Sequence, residues 1–198
     1  IEAVKPGFVN FFLKKEFIQK QLEEICKKLN SFGRSEAGNG KTAIVEYGGT
    51  NIAKPMHVGH LRSIIIGDGL ANVYEFLGWK VIRWNYIGDW GTQFGNLIAA
   101  YKLWGDGKDL KANPIQTMLE LYVRFHTELK NNLELESRGR EEFKKLEEGD
   151  NENRKLWEIF RGYSLEEFDK IFRQLGVKFD ITKGESGYES AVDEVVKL

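Results

Sequence analysis

The chain has 198 residues, of which 41% are hydrophobic and 30% charged, the balance of a globular domain with a core of its own. Lysine and arginine number 29 against 30 aspartates and glutamates, a net charge of −1, which argues against the broad basic surface of a free-standing nucleic-acid binder. The single cysteine, Cys26, excludes a disulfide framework; no apolar run approaches a membrane span, no signal-peptide pattern opens the chain, and it reads as cytoplasmic.

In chain order, Gly7 to Leu13 predicts a strand. Lys14 to Asn30 repeats apolar residues at Ile18, Leu22, Ile25 and Leu29, the spacing of an amphipathic helix with Cys26 on its apolar side. Ser31 to Lys41, with Gly33, Gly38, Asn39 and Gly40, reads as a flexible loop. From Ala43 the order becomes strand (Ala43 to Tyr47), helix (His57 to Leu77, ended by Gly78), strand (Lys80 to Ile87) and helix (Thr92 to Trp104). That alternation implies an α/β fold with right-handed crossovers, a parallel sheet, and ligands above the carboxyl ends of the strands.

The stretch from Gly105 to Gly149 departs from this rhythm. Ile115 to Leu133 predicts one helix, with Met118, Leu119, Tyr122, Phe125 and Leu129 in contact spacing. Leu135 to Asn153 is dense in both signs of charge and is read as the solvated face of a helical insertion over about 105–153 rather than a nucleic-acid surface. Asn153 to Leu175 follows as a helix or helix pair, Val177 to Ile181 returns to the sheet, and Glu189 to Leu198 reads as a helix cut short. A chain that opens on Ile1 and stops inside a helix is expected to be a fragment. No internal repeat is visible.

Chemistry concentrates in Glu46-Tyr47-Gly48-Gly49-Thr50-Asn51-Ile52-Ala53-Lys54-Pro55-Met56-His57-Val58-Gly59-His60-Leu61-Arg62-Ser63. Gly48 and Gly49 break the strand, and Pro55 fixes φ where a helix would begin. His57 and His60 stand three apart, so on a helix both rings point the same way within a turn of its positive end, a place for phosphate. Gly59 leaves room for a flat group such as a nucleobase. Two other readings stand beside this one: polar helix residues, or a zinc pair that would need His126 or Cys26 as further ligands. In the second block, Asn85-Tyr86-Ile87-Gly88-Asp89-Trp90-Gly91-Thr92-Gln93-Phe94-Gly95, Asp89 can cap the helix that begins near Thr92 and Trp90 can fill space between sheet and helix.

Together these two blocks resemble the arginyl-tRNA synthetases, whose class I signature is His-Ile-Gly-His. Pro6-Gly7-Phe8-Val9-Asn10-Phe11 and Gly184-Glu185-Ser186 also match, so the likeness spans nearly the whole chain. It implies a Rossmann-like parallel sheet of the class I synthetase type, truncated. Residues 1–14 would be the remnant of an N-terminal tRNA-binding domain, and residues 15–198 the first half of the catalytic domain. It also implies ATP as substrate, Mg2+ entering with ATP without a visible protein ligand set, arginine as the amino acid, and tRNA(Arg) as partner mainly through parts not present here. No membrane partner is implied, and the intact protein is expected to be a monomer.

By the same resemblance His57, His60 and Lys54 are the catalytic candidates and, with Gly59, the ATP-binding set. Glu46, Gly49, Thr50, Asn51, His60 and Glu185 would contact arginine, because a guanidinium is best met by carboxylates. Asp89, Trp90 and Gln93 would support the site; no metal-binding residue is expected. The reaction implied is attack of the arginine carboxylate on the α-phosphorus of ATP with loss of pyrophosphate, which needs alignment and charge stabilisation rather than an enzyme nucleophile. Lys54 would compensate for a degraded Lys-Met-Ser-Lys-Ser signature, or be a solvent lysine. Gly48-Gly49-Thr50 stands where the family usually has Ser-Ser-Pro, and no Lys-Met-Ser-Lys-Ser is found. The chain alone is therefore expected to have little activity. Two alternatives remain: a non-catalytic half-domain that binds nucleotide, tRNA or a protein, and a His-x-Gly-His nucleotidylyltransferase, against which the Gly88 to Gly95 block speaks.

Overall fold

The computed structural model describes every residue except 53, 106, 131, 133 and 198, and every described side chain except those of 107–109 and 193. The chain opens with an antiparallel hairpin of β1 (Glu2–Val4) and β2 (Phe8–Asn10), where one longer strand is expected from the sequence. Helix α1 (Lys15–Lys28) forms as its spacing predicts. Its apolar face stays uncovered, however, with Leu22 58% exposed and Cys26 exposed and free. Periodicity specifies a helix but not the surface that would bury it.

The expected parallel sheet is present. β3 (Thr42–Glu46), β4 (Lys80–Asn85) and β5 (Ile181–Thr182) lie in the order β3-β4-β5, with Thr42 opposite Lys80 and Glu46 opposite Trp84. The crossover between the parallel strands β3 and β4 is made by α2 (Val58–Phe76), which begins one residue later than the sequence implies and three residues beyond Pro55. β5 is shorter than expected because the Asp180 carboxylate accepts the Arg83 N–H at 2.8 Å, a donor that would otherwise extend the ladder. Tyr47, 4% exposed, pins the end of β3: its ring packs 4.7 Å from Phe179, and its hydroxyl donates to the Lys178 carbonyl at 2.9 Å. Burial, with Asp68 nearby, pushes the Tyr47 phenol up to about 12.

After β4 comes α3 (Thr92–Trp104), with the predicted limits, then α4 (Gly107–Ala112), α5 (Pro114–Leu129), α6 (Glu134–Glu147) and α7 (Asn151–Leu175). α5 stops four residues short of Leu133, which lies outside the described residues. α7 is one 25-residue helix rather than a pair, capped by the Asp150 side chain at Asn153 N–H and closed by Gly176 in the left-handed conformation. The final predicted helix, whose end at Leu198 is also outside the described residues, is instead a 3₁₀ turn (Glu185–Ala191) followed by α8 (Val192–Val195).

The core forms around α3, whose Phe94, Leu97, Ile98, Ala99 and Ala100 are at most 1% exposed. It continues through Met118 and Phe125 of α5, Leu146 of α6 and Phe160 and Phe168 of α7, each large apolar side chain contributing about 2 to 3 kcal/mol by burial. α3 and α6 approach so closely at Gly95 and Gly139 that a Cβ on either would strike the opposite helix. The charge-rich run is not only a solvated face. Glu142, 6% exposed, accepts from Lys102 Nζ at 2.7 Å, Lys145 Nζ at 2.7 Å and Asn153 Nδ2 at 2.9 Å. Burial pushes its carboxyl up, but those hydrogen bonds outweigh it and hold the group at about 2. Among the described residues no helix is long and apolar enough to cross a membrane.

Candidate functional site

Three turns meet above the carboxyl ends of the parallel strands. The turn after β3 and the turn after β4 share a parallel bridge between Asn51 and Gly88, with Gly88 N–H donating to Thr50 O at 3.0 Å and Ile52 N–H to Gly88 O at 3.2 Å. The turn after β5 joins them through Glu185 N–H on Ile87 O at 3.2 Å. The two special blocks therefore do share one edge, as the alternation of elements implies.

At the start of α2, His57 is the N-cap residue and not part of the helix. Its Nδ1 accepts the Gly59 N–H at 3.2 Å, while its own N–H donates to His60 Nδ1 at 3.2 Å, a reciprocal capping box built from two imidazoles. The ring centroids are 3.9 Å apart. A first-turn N–H expected to face a ligand, that of Gly59, is thus already used. With both Nδ1 atoms accepting, each neutral ring carries its proton on Nε2, so both present N–H donors. Burial, and then the His57 charge, lowers the His60 pKa and so favours the neutral ring. His57 is exposed and His60 half-buried, so neither ring is sealed from a ligand. Gly59 is exposed, and a Cβ there would come to 3.0 Å from the His57 ring, so glycine leaves that ring undisturbed.

A cavity of about 430 Å³ lies beside the end of β3, lined among others by Glu46, Gly48, Gly49, His60, Arg62 and Ser63. Strand alternation explains its acid: Tyr47 turns down into the core while Glu46 stays exposed at the strand end. The structure brings Glu46, Gly49 and His60 together there. Arg62 and Ser63 line it too, though neither is among the expected site residues; Ser63 stands three residues beyond His60 on the same helix face, a signal sufficient to find it.

The other candidates are placed differently. Thr50 is 1% exposed with its hydroxyl buried and unpartnered, and Asn51 is exposed. Lys54 Nζ lies 4.6 Å from the Tyr122 ring centroid, packed on α5 instead of lining the cavity. Glu185 is exposed and outside that cavity as well, its Oε2 accepting the Trp90 N–H at 3.3 Å. Gln93 is half-buried.

Asp89 does not cap α3, whose N-cap is Gly91 with no side-chain bond. It is 0% exposed instead and accepts Arg161 Nε at 2.8 Å, Ser186 Oγ at 2.8 Å and Ser186 N–H at 2.9 Å, because burial without partners would cost too much. Trp90 fills space as expected, edge-on to Trp157 and Phe143 and 5.0 Å beneath the Arg154 guanidinium. The sequence gives no signal for these arginines, which lie far along the chain.

A parallel sheet with a histidine-capped helix at its first crossover and a cavity at the strand's carboxyl end defines an α/β domain of the parallel-sheet class. Residues 21–198 match the family model of class I tRNA synthetases (R), catalytic domain, and the chain belongs to that family. It is 47% identical over 199 residues to the arginine–tRNA ligase of Ligilactobacillus salivarius and 48% identical over 198 residues to that of Clostridium perfringens, covering 100% of this chain and 35% of each relative. The chain thus spans about a third of the length of the curated relatives it matches. The arginyl-tRNA synthetase structure from Plasmodium falciparum superposes with a TM-score of 0.69 at 30% identity, over 100% of this chain and 34% of that one. The Thermus thermophilus enzyme gives 0.65 at 26% identity, over 93% and 29%. These neighbours share the class I synthetase fold, and the matches favour neither a nucleotidylyltransferase nor a non-catalytic half-domain.

Proposed function

We propose that this chain is the N-terminal part of the catalytic unit of an arginine–tRNA ligase, which activates arginine with ATP and transfers it to tRNA(Arg). The observation that carries this reading is the shared cavity of Glu46 and His60. It puts a carboxylate suited to a guanidinium beside an imidazole whose free nitrogen is a donor suited to phosphate.

In this reading the arginine carboxylate attacks the α-phosphorus of ATP and pyrophosphate leaves. The Nε2–H groups of His57 and His60 meet charge that builds on the phosphate oxygens, and Gly59 lets the base lie close to the helix start. Glu46, Gly49, Thr50, Asn51 and Glu185 form the arginine side. Lys54, held over Tyr122, is a cation that would have to swing from that ring to reach the phosphates. Among the described residues no three His, Cys, Asp or Glu converge to hold a metal, so Mg2+ would arrive on the ATP phosphates. The working enzyme is a monomer in the cytoplasm, and tRNA contacts fall mainly on parts outside these 198 residues.

Arginine-dependent pyrophosphate exchange separates the possibilities. The full-length protein should exchange with arginine, ATP and tRNA(Arg) present and the 198-residue chain should exchange little. Cytidylyl or adenylyl transfer to small phosphates, with no response to arginine, would overturn the reading.

A further inference from the structure

Helix α7 presents Arg154, Trp157 and Arg161 on one face, at intervals of three and four residues. All three reach the turns above the sheet. Arg161 Nε donates to Asp89 Oδ2 at 2.8 Å, Trp157 Nε1–H to the Asp89 carbonyl at 2.7 Å, and Arg154 Nη1 to Glu189 Oε2 at 3.0 Å. A second bond from Arg154 to Glu189 makes that pair a fork. Asp89 passes the hold onward, because its two oxygens accept both the N–H and the hydroxyl of Ser186, the residue next to Glu185. Glu185 itself rests on the N–H of Trp90, the residue next to Asp89. Gly184 completes the fit, since a Cβ there would collide with the Asp89 carboxylate and the Ile87 carbonyl.

We propose that Arg161 and Arg154 are positioning residues that clamp the 184–189 turn at two points, Ser186 and Glu189, and so fix the Glu185 carboxylate for the guanidinium of arginine. The inference rests on the ligase reading above and deepens it. Neither arginine touches the substrate: each acts through an acid, Asp89 or Glu189, on the turn that carries Glu185. The arrangement gives a role to a fully buried aspartate that stands at the β4 to α3 turn and caps nothing. An apolar residue would fill the same space without fixing the turn's orientation.

The test is steady-state pyrophosphate exchange by the full-length protein, with KM measured separately for arginine and ATP and melting temperature recorded for each variant. Arg161→Gln is expected to raise KM for arginine by about tenfold or more, the order that misplacement of a binding group costs, with KM for ATP within about twofold. Arg161→Lys should recover part of the loss, since an ammonium can still pair with Asp89 as a point charge. Ser186→Ala, which removes one bond of the clamp and leaves the ion pair, is the milder variant should Arg161→Gln fail to fold, and its effect should fall on arginine KM in the same sense. Equal rises in both KM values, or an unchanged arginine KM in a folded Arg161→Gln or Ser186→Ala protein, overturns the clamp. Glu185→Gln separates the two levels: if it leaves arginine KM unchanged the arginine-pocket reading fails, whereas if it raises arginine KM while the clamp variants do not, the clamp alone fails.

Discussion

His60 Nδ1 accepts the backbone N–H of His57 at 3.2 Å, and the His57 ring returns the favour two residues on by accepting the Gly59 N–H. Each ring's inner nitrogen is thereby committed to the helix start, and each outer nitrogen is left as a donor. Asparagine can imitate the inner nitrogen with its side-chain oxygen but cannot reach the outer position. His57→Asn and His60→Asn are therefore expected to keep the fold and lower kcat for exchange by about 10²-fold, the size of one lost charge-stabilising donor. Exchange kinetics together with thermal melts check this.

Burial of the His60 ring, with His57 beside it, sets a pH response. The folded His60 pKa lies below its ordinary 6.5, so on acidification the unfolded chain takes up this proton first. Stability from His60 is full above 6.5 and falls as pH drops below it. His126 is lowered too, by burial and then by Lys54, and adds in the same direction. A denaturant titration at several pH values should show the decline, and His60→Asn should make it shallower.

A Cβ at Gly59 would press on the His57 ring at 3.0 to 3.1 Å. Because that ring is exposed and can move, the cost falls on its orientation rather than on folding. Gly59→Ala should lower kcat by about tenfold, as loss of alignment does, with a melting temperature close to the parent's.

Lys54 rests on the Tyr122 ring, beside His126, whose ring centroid is 4.3 Å from that of Tyr122. If Lys54 serves the phosphates, Lys54→Met should reduce kcat, whereas Tyr122→Leu should free the lysine while costing about 1 kcal/mol of stability through the lost cation–π contact. Equal kcat in Lys54→Met and the parent would leave Lys54 a structural lysine.

Glu142 is held at about 2, well below its ordinary 4.5. Its stabilisation is therefore complete above 4.5 and lost as pH falls toward 2. Glu142→Gln removes the carboxylate that Lys102 and Lys145 share, though Lys102 keeps Glu152 at 3.1 Å, and should cost about 2 kcal/mol, most visibly at neutral pH, as read by urea unfolding.

Local features were legible in the amino-acid order, and distant partnerships were not. The His57 and His60 pair, the strand-end Glu46 and the limits of α3 follow from spacing within one or two elements, and the structure keeps them. Asp89 was misassigned as a cap because its partner Arg161 is 72 residues away, and no periodicity links a turn to a helix at that range. The run from Leu135 to Asn153 suggested only a solvated face because charge density does not reveal that Glu142 and Asn153 turn inward to Lys102. The apolar stripe of α1 predicts a helix correctly but not what would cover it, since spacing carries no information about what lies opposite. Placement of Lys54 on Tyr122 instead of in the cavity likewise depended on a helix more than 60 positions further along.

The chain has three histidines, so nitrogen-15 histidine labelling gives a spectrum in which each ring can be followed as ATP and magnesium are added. His57 and His60 should both carry the proton on Nε2 at neutral pH, and both Nε2–H signals should move on nucleotide binding while His126 stays nearly fixed. A proton on Nδ1 of either ring, or saturating ATP that leaves both rings unmoved, would contradict the phosphate-binding role on which the proposed function depends.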